Sequence, residues 1–244
     1  MARPTLLLLP GLMCDRAVWS AQVAALSASH DCVVPDYGTL DSLGAMADAA
    51  LRAAPPGPLA VAGHSMGGRI AFEMWQRAPG RIERLALLDT SYHALPAGEE
   101  GQRERAGRLA LLDIARTQGL RAMAHEWALG MVHPSRLGTP LFDTILEMFE
   151  RRSVAAFAAQ IEALLARRDA TALLSTIDVP TLLLCGRDDG WSPPERHAFM
   201  HARIAGSTLA VIERCGHMSP MEEPAAVTAA LREWLARPAA PRHS

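Results

Sequence analysis

Apolar residues in this chain gather into short, nearly unbroken runs: Thr5–Leu9, Cys32–Pro35, Leu59–Ala62, Leu85–Leu88, Thr181–Cys185 and Thr208–Ile212. A strand with one face in water alternates apolar and polar side chains. A strand covered on both faces does not. The runs therefore predict about six strands of a mostly parallel, doubly wound α/β sheet. Between them, roughly Ala17–Ala28, Ser42–Ala53, Arg69–Arg77, Pro194–His201 and Pro224–Ala236 carry helical periodicity. Such alternation implies right-handed crossovers, and ligands of such sheets bind beyond the carboxyl ends of the strands.

One stretch breaks the alternation. From about Ser91 to Ala170 there is helical pattern and no strand, with interruptions at Gly119, at His133-Pro134 and at Gly138-Thr-Pro140. This predicts a helical cap (residues 91–170) inserted into a core formed by residues 1–90 and 171–244. Met123, Trp127 and Met131 of the cap are candidate pocket residues. Phe142, Met148, Phe149 and Phe157 also offer apolar surface to a pocket below, and most of these seven residues read as packing the cap against itself and the core. The last residues, 237–244, read as a frayed tail.

Composition narrows the class. The 244 residues are 50% apolar and 20% charged, with a formal charge of −2, and all 24 basic residues are arginine. That balance speaks against a nucleic-acid partner. The N-terminal leucine run is cut by Pro10-Gly11, too short for a secretory segment, and no window approaches the ~18 apolar residues of a membrane span. Cys14, Cys32, Cys185 and Cys215 are scattered without metal-ligand or disulfide spacing, so free thiols in a cytoplasmic protein are expected.

The chemistry is signalled by Gly63-His64-Ser65-Met66-Gly67-Gly68, which follows the third apolar run and opens a helix. A serine hydroxyl attacks poorly unless it is lifted clear of the backbone and relieved of its proton. Flanking glycines allow the sharp strand-to-helix bend that does the first. The second needs a base and an orienting carboxylate. Gly186-Arg-Asp188-Asp189 ends the fifth run, and Gly216-His217 follows the sixth. Three run ends thus supply a serine, an aspartate and a histidine in that order. Among the other histidines, His197 and His201 are spaced as a metal pair on a helix expected to face solvent, and no third ligand stands nearby.

On these motifs the chain resembles the α/β-hydrolases, and within them small serine esterases of the pimeloyl-ACP methyl ester esterase group. The resemblance spans essentially the whole chain, although the usual two leading antiparallel strands are missing, so a shortened sheet is implied. It also implies Ser65, Asp189 and His217 as the catalytic set. The family's acid turn, Gly-x-x-Asp-x-x-x-Pro, selects Asp189 over Asp188, which would cap the turn or face solvent. It implies an oxyanion hole from the backbone N–H groups of Met66 and Leu12, in a loop where Pro10 replaces the histidine usual in relatives. His64 is then a buried structural or pocket-wall residue, and Trp191 a further pocket candidate.

The implied reaction is cleavage of a small or medium carboxylic ester through an acyl-enzyme, without cofactor or metal, by a monomer or homodimer. Two alternatives stay open. One is a carbon–carbon bond hydrolase or lyase, which an arginine-lined pocket would favour. The other is a thioesterase acting on a carrier protein, docked by Arg103, Arg105, Arg108, Arg151-Arg152 and Arg167-Arg168. Against that docking rim stand Glu99, Glu100 and Glu104, which read as salt-bridge partners of the same arginines.

Overall fold

The six apolar runs form β1 (Thr5–Leu9), β2 (Asp31–Val33), β3 (Leu59–His64), β4 (Ile82–Leu88), β5 (Thr181–Gly186) and β6 (Thr208–Ile212). The computed structural model describes residues 3–238. The tail predicted at 237–244 therefore lies outside the described residues from position 239 onward. Among the described residues the strands make one sheet, ordered β2-β1-β3-β4-β5-β6, in which every neighbouring pair is parallel. Leu6 to Leu9, Leu85, Leu87 and Leu183 are fully buried, as expected of strands covered on both faces.

The helices α1 (Ser20–Leu26), α2 (Leu43–Ala53), α3 (Met66–Arg77), α4 (Gly98–Thr117), α5 (Leu120–Ala128), α6 (Pro140–Glu150), α7 (Val154–Leu165), α8 (Thr171–Leu174), α9 (Pro194–His201), α10 (Ser219–Glu222) and α11 (Pro224–Ala236) connect them. Helices α1 and α11 pack together, as do α2 and α3, and α4 to α7 form the insertion between β4 and β5. The predicted breaks carry physical reasons. Gly119 caps α5 at φ 92°, and Pro140 occupies the first turn of α6, where a missing N–H costs nothing.

Differences from expectation are local. The helix expected at Ala17–Ala28 is split, because the Asp15 carboxylate caps a short 3₁₀ turn over Arg16–Trp19 before α1 begins. The second strand covers Asp31–Val33 and stops before Pro35, which has no N–H for a sheet ladder. Helix α3 starts three residues before the expected Arg69, at Met66. Its two early glycines are poor helix formers, which hides that start in the sequence.

Those glycines serve packing. A methyl group at Gly67 would lie 2.1 Å from the Leu9 carbonyl oxygen, and one at Gly63 would lie 2.4 Å from that of Gly67. Helix α3 therefore rests directly on the strand ends. We expect Gly67→Ala to lower the melting temperature by roughly 5 °C or more. Gly107→Ala in α4, where no heavy atom lies within 4 Å, should instead stabilise by about 0.5–1 kcal/mol. Thermal melts of the two variants check both.

Candidate active site

The sheet changes direction between β1 and β3: the chain leaves β1 toward β2 on one side and continues from β3 to β4 on the other. Loops after these two neighbouring strands consequently diverge and open a crevice at their carboxyl ends. Leu9 pairs with Gly63, so the loop after β1 and the bend after β3 begin side by side. Ser65 occupies the bend with φ 54° and ψ −117°, a conformation that costs a non-glycine residue about 1–3 kcal/mol. Its N–H donates to Leu88 O at 2.9 Å, and its carbonyl accepts from the Thr90 hydroxyl at 2.7 Å, which hold the bend from β4.

His217 and Asp189 arrive from the next strand ends. His217 Nε2 lies 2.8 Å from Ser65 Oγ, and Nδ1 lies 2.8 Å from Asp189 Oδ2. The second carboxylate oxygen, Oδ1, accepts the N–H groups of Trp191 and Ser192, both at 2.9 Å. Burial pushes the Asp189 carboxyl up, but the imidazole and these two amides outweigh it and hold the group at about 2. An ionised Asp189 requires a proton on Nδ1, which leaves the Nε2 lone pair facing the serine hydroxyl. Asp188, by contrast, is exposed and lies 3.9 Å from the His133 ring.

Buried groups around this chain are sorted by charge. His64 Nε2 donates to the His217 carbonyl at 2.8 Å, and burial together with His217 drives the His64 imidazole down to about 3. Asp89, at φ 46° after β4, is fully buried, and burial plus the nearby Asp189 charge raise its carboxyl well above the usual range. The two lie 3.6 Å apart. Since each is pushed toward its neutral form, we read them as a neutral pair rather than a salt bridge. Asp89 also accepts the Gly186 N–H at 3.1 Å and the Ser219 hydroxyl at 2.5 Å, fastening the strand end before Asp189 to the loop after His217. Glu222 accepts the N–H groups of Gly216, Met218 and His133, and so shapes the histidine loop.

Beside Ser65 opens a cavity of about 430 Å³. Leu12, Met66, Trp127 and Trp191 all line it. The two indoles stack at 5.4 Å, and Trp191 lies 4.9 Å from the His217 ring. Met123 and Met131 do not reach it: both are buried in packing, and Met131 instead accepts the His217 N–H through its carbonyl at 2.7 Å. His197, expected to face solvent, is fully buried and accepts the Thr90 N–H at 3.2 Å, while exposed His201 bonds Ser207. Cys14 and Cys215 are buried packing groups whose thiols burial pushes up, that of Cys14 to about 12.

Several contributors escape a reading of the sequence. Asp89 and Glu222 have no motif to announce them. Gln160 had a signal: it is a single amide among the apolar residues of α7, fully enclosed, and it accepts the Met13 N–H at 2.8 Å. Met13 has φ 61°, so this bond clamps the loop that carries Leu12 in an otherwise disfavoured turn. Most of the arginines considered as a docking rim are occupied. Arg151 pairs with Asp15, Arg152 with Asp36, and Arg108 and Arg167 share Glu104.

This fold, with a strained serine at the switch of a parallel sheet, defines an α/β hydrolase. The model of the alpha/beta hydrolase family matches residues 6–231, and the chain belongs to that family. It is 30% identical over 184 residues to a pimeloyl-(acyl-carrier protein) methyl ester esterase of Neisseria meningitidis, a match spanning 73% of this chain but only 57% of that relative. The enzyme of the same name from Aromatoleum aromaticum is 28% identical over 92% of this chain and 95% of its own length. Among solved structures, a thermophilic esterase from Thermogutta terrifontis, studied with malate bound, superposes with a TM-score of 0.87 at 29% identity, covering 96% of this chain and 90% of the other.

Because Asp189 ionises more easily folded than unfolded, it stabilises the fold above its unfolded value of ~3.9, and that contribution disappears as pH falls through about 2. The melting-temperature gap between the native protein and Asp189→Asn should therefore be widest above pH ~5 and shrink toward pH ~2. Melts across that range test it.

Proposed function

We propose that this protein is a serine carboxylic ester hydrolase acting through an acyl-enzyme, with Ser65 as nucleophile, His217 as general base and acid, and Asp189 as the group orienting His217. The observation that carries the reading is the unbroken hydrogen-bond chain from Ser65 Oγ through both nitrogens of His217 to Asp189, at the wall of the cavity. The esterase relatives support the same class.

His217 Nε2 takes the hydroxyl proton as Oγ bonds to the ester carbonyl carbon. The resulting oxyanion is received by the N–H groups of Met66 and Leu12, which start from adjoining strand ends. Each donor of this kind contributes about 3–4 kcal/mol to lowering the barrier. The neighbouring His64 is held neutral, so no second cation opposes the imidazolium that forms on His217. The C–O bond to the alcohol then breaks, and the alcohol leaves with the His217 proton. Water enters, gives its proton to His217, and releases the acid from Oγ by the reverse sequence.

The insertion serves as a cap, supplying Trp127, Phe157, Ile161 and Leu164 to the cavity wall. The cavity's volume suits a small or medium acyl group. Pro10 removes a polar side chain from the oxyanion loop, and the clamp from Gln160 to Met13 takes over the positioning of that loop.

We expect a fluorophosphonate probe to label Ser65, and short-chain p-nitrophenyl esters to be hydrolysed. Ser65→Ala should abolish both. Asp189→Asn should lower kcat by on the order of 10³–10⁴ through loss of the required tautomer. Activity in Ser65→Ala equal to that of the native protein would end the proposal. Gln160→Leu, which strands the buried Met13 N–H, should lower kcat by about tenfold or more, and unchanged turnover would dismiss the clamp.

A further inference from the structure

The mechanism leaves one set of cavity residues unused. Arg69 lies in the first turn of α3, four residues beyond Ser65 and about 6 Å along the axis, and it lines the same cavity while only 8% exposed. Its guanidinium makes one protein hydrogen bond, from Nη1 to the His93 carbonyl at 2.7 Å, and among the described residues it has no carboxylate partner. Arg196, also at the wall, donates to the Trp191 carbonyl at 2.9 Å and likewise lacks a carboxylate. Arg108 and Arg167 converge on Glu104, so two cations share a single anion there. Arg103 adds a further charge at the exposed rim. The wall thus carries five arginines against Glu100, Glu104 and Asp89, the last of which burial pushes toward its neutral form.

A buried cation with no carboxylate in contact is costly, and burial, Arg167 and Arg196 push the Arg69 guanidinium down to about 9 against the opposing pull of Glu104 and Asp169. The crowding is evident at His93, whose imidazole is pushed down to about 4 by burial and then by Arg196, Arg69 and Arg167. Arg69 and Arg167 both donate to the His93 carbonyl, at 2.7 and 3.4 Å, while the His93 ring is bonded through Nδ1 to Ser91 Oγ at 2.7 Å. Planar, forked donors of this kind match an oxyanion group of a ligand.

We propose that this end of the cavity is a subsite for a carboxylate of the substrate, so that the preferred ester carries a free carboxylate a few carbons from the carbonyl attacked by Ser65: a half-ester of a short dicarboxylic acid. The inference rests on the esterase reading above and names its substrate class. Both ends of such a molecule lie within one cavity. The phosphate of a carrier's pantetheine arm is the other source of an anion for the same arginines.

Monoethyl glutarate and ethyl valerate, equal in acyl length, separate charge from size. The half-ester should have the higher kcat/KM by about 10- to 100-fold, the effect of one or two charge-assisted hydrogen bonds, and the advantage should shrink with added salt. Arg69→Gln and Arg196→Gln should each cut that ratio about tenfold or more. Arg196 is only half-buried, so its variant carries the test if Arg69→Gln does not fold. A ratio near or below one, or one that neither variant changes, overturns the subsite. So does a preference for butyryl-pantetheine phosphate over butyryl-pantetheine without any preference for the half-ester, which gives the arginines to a carrier arm. If neither ester is cleaved above Ser65→Ala, the esterase reading fails, and calorimetry with glutarate still decides the subsite. Binding that Arg69→Gln or Arg196→Gln weakens supports it, and no binding removes it.

Discussion

Everything at this site depends on how closely α3 can approach the strand ends. Helix and sheet meet backbone to backbone at Gly63 and Gly67, with no room for a side chain on either. That contact leaves the single residue at the corner no relaxed conformation, and Ser65 takes up the strain at φ 54°. The strain is held by bonds from outside the corner: Leu88 O receives the Ser65 N–H, and Thr90 donates to the Ser65 carbonyl. Both partners belong to β4 or its end, so the corner depends on correct pairing of β3 with β4. The hydroxyl is aimed by the sheet rather than by local preference.

The same geometry forces an electrostatic problem and also solves it. Parallel strands deliver Asp89, Asp189 and His217 to adjoining positions, together with His64, all at most 4% exposed. Two ionised carboxylates so close in a dry environment would repel strongly. The distribution of donors decides which one keeps its charge. Asp189 faces an imidazole and two amides, and is held low. Asp89 accepts a hydroxyl and two amides but has no imidazole, and burial together with the charge of Asp189 raises it. One charged and one neutral carboxylate result, and the charged one is the partner of His217.

Much of this was legible in the sequence because it rests on short-range rules. Unbroken apolar runs of four or five residues mark the strands, and the carboxyl-end rule puts Ser65, one of Asp188 and Asp189, and His217 at run ends; the choice of Asp189 comes from the family resemblance. Residues whose role depends on long-range contacts were not legible. Asp89 and Glu222 are acids like any others until the chain is folded around them. The fate of Met123 and Met131 illustrates the same limit: a methionine suits a pocket wall or a packed interior equally well, and only the rotation of α5 and the path of the following loop choose between them. His197 looked solvent-facing because α9 is rich in polar residues, yet it turns inward to receive the Thr90 amide.

The helical insertion does more than cover the rim. Gln160 reaches down to Met13, Arg152 and Arg151 bind carboxylates of the loops after β2 and β1, and Met131 and His133 hold the histidine loop through their backbone groups. The insertion therefore touches the supports of the oxyanion loop and of His217 at once. Asp36, held at about 2 first by its hydrogen bond from Arg152, keeps that tie ionised across the neutral range. A cap tied at these points cannot swing away as a rigid unit without disturbing the groups beneath it. Arg103 and Glu100 of α4 leave an exposed rim on the same cavity, away from those ties.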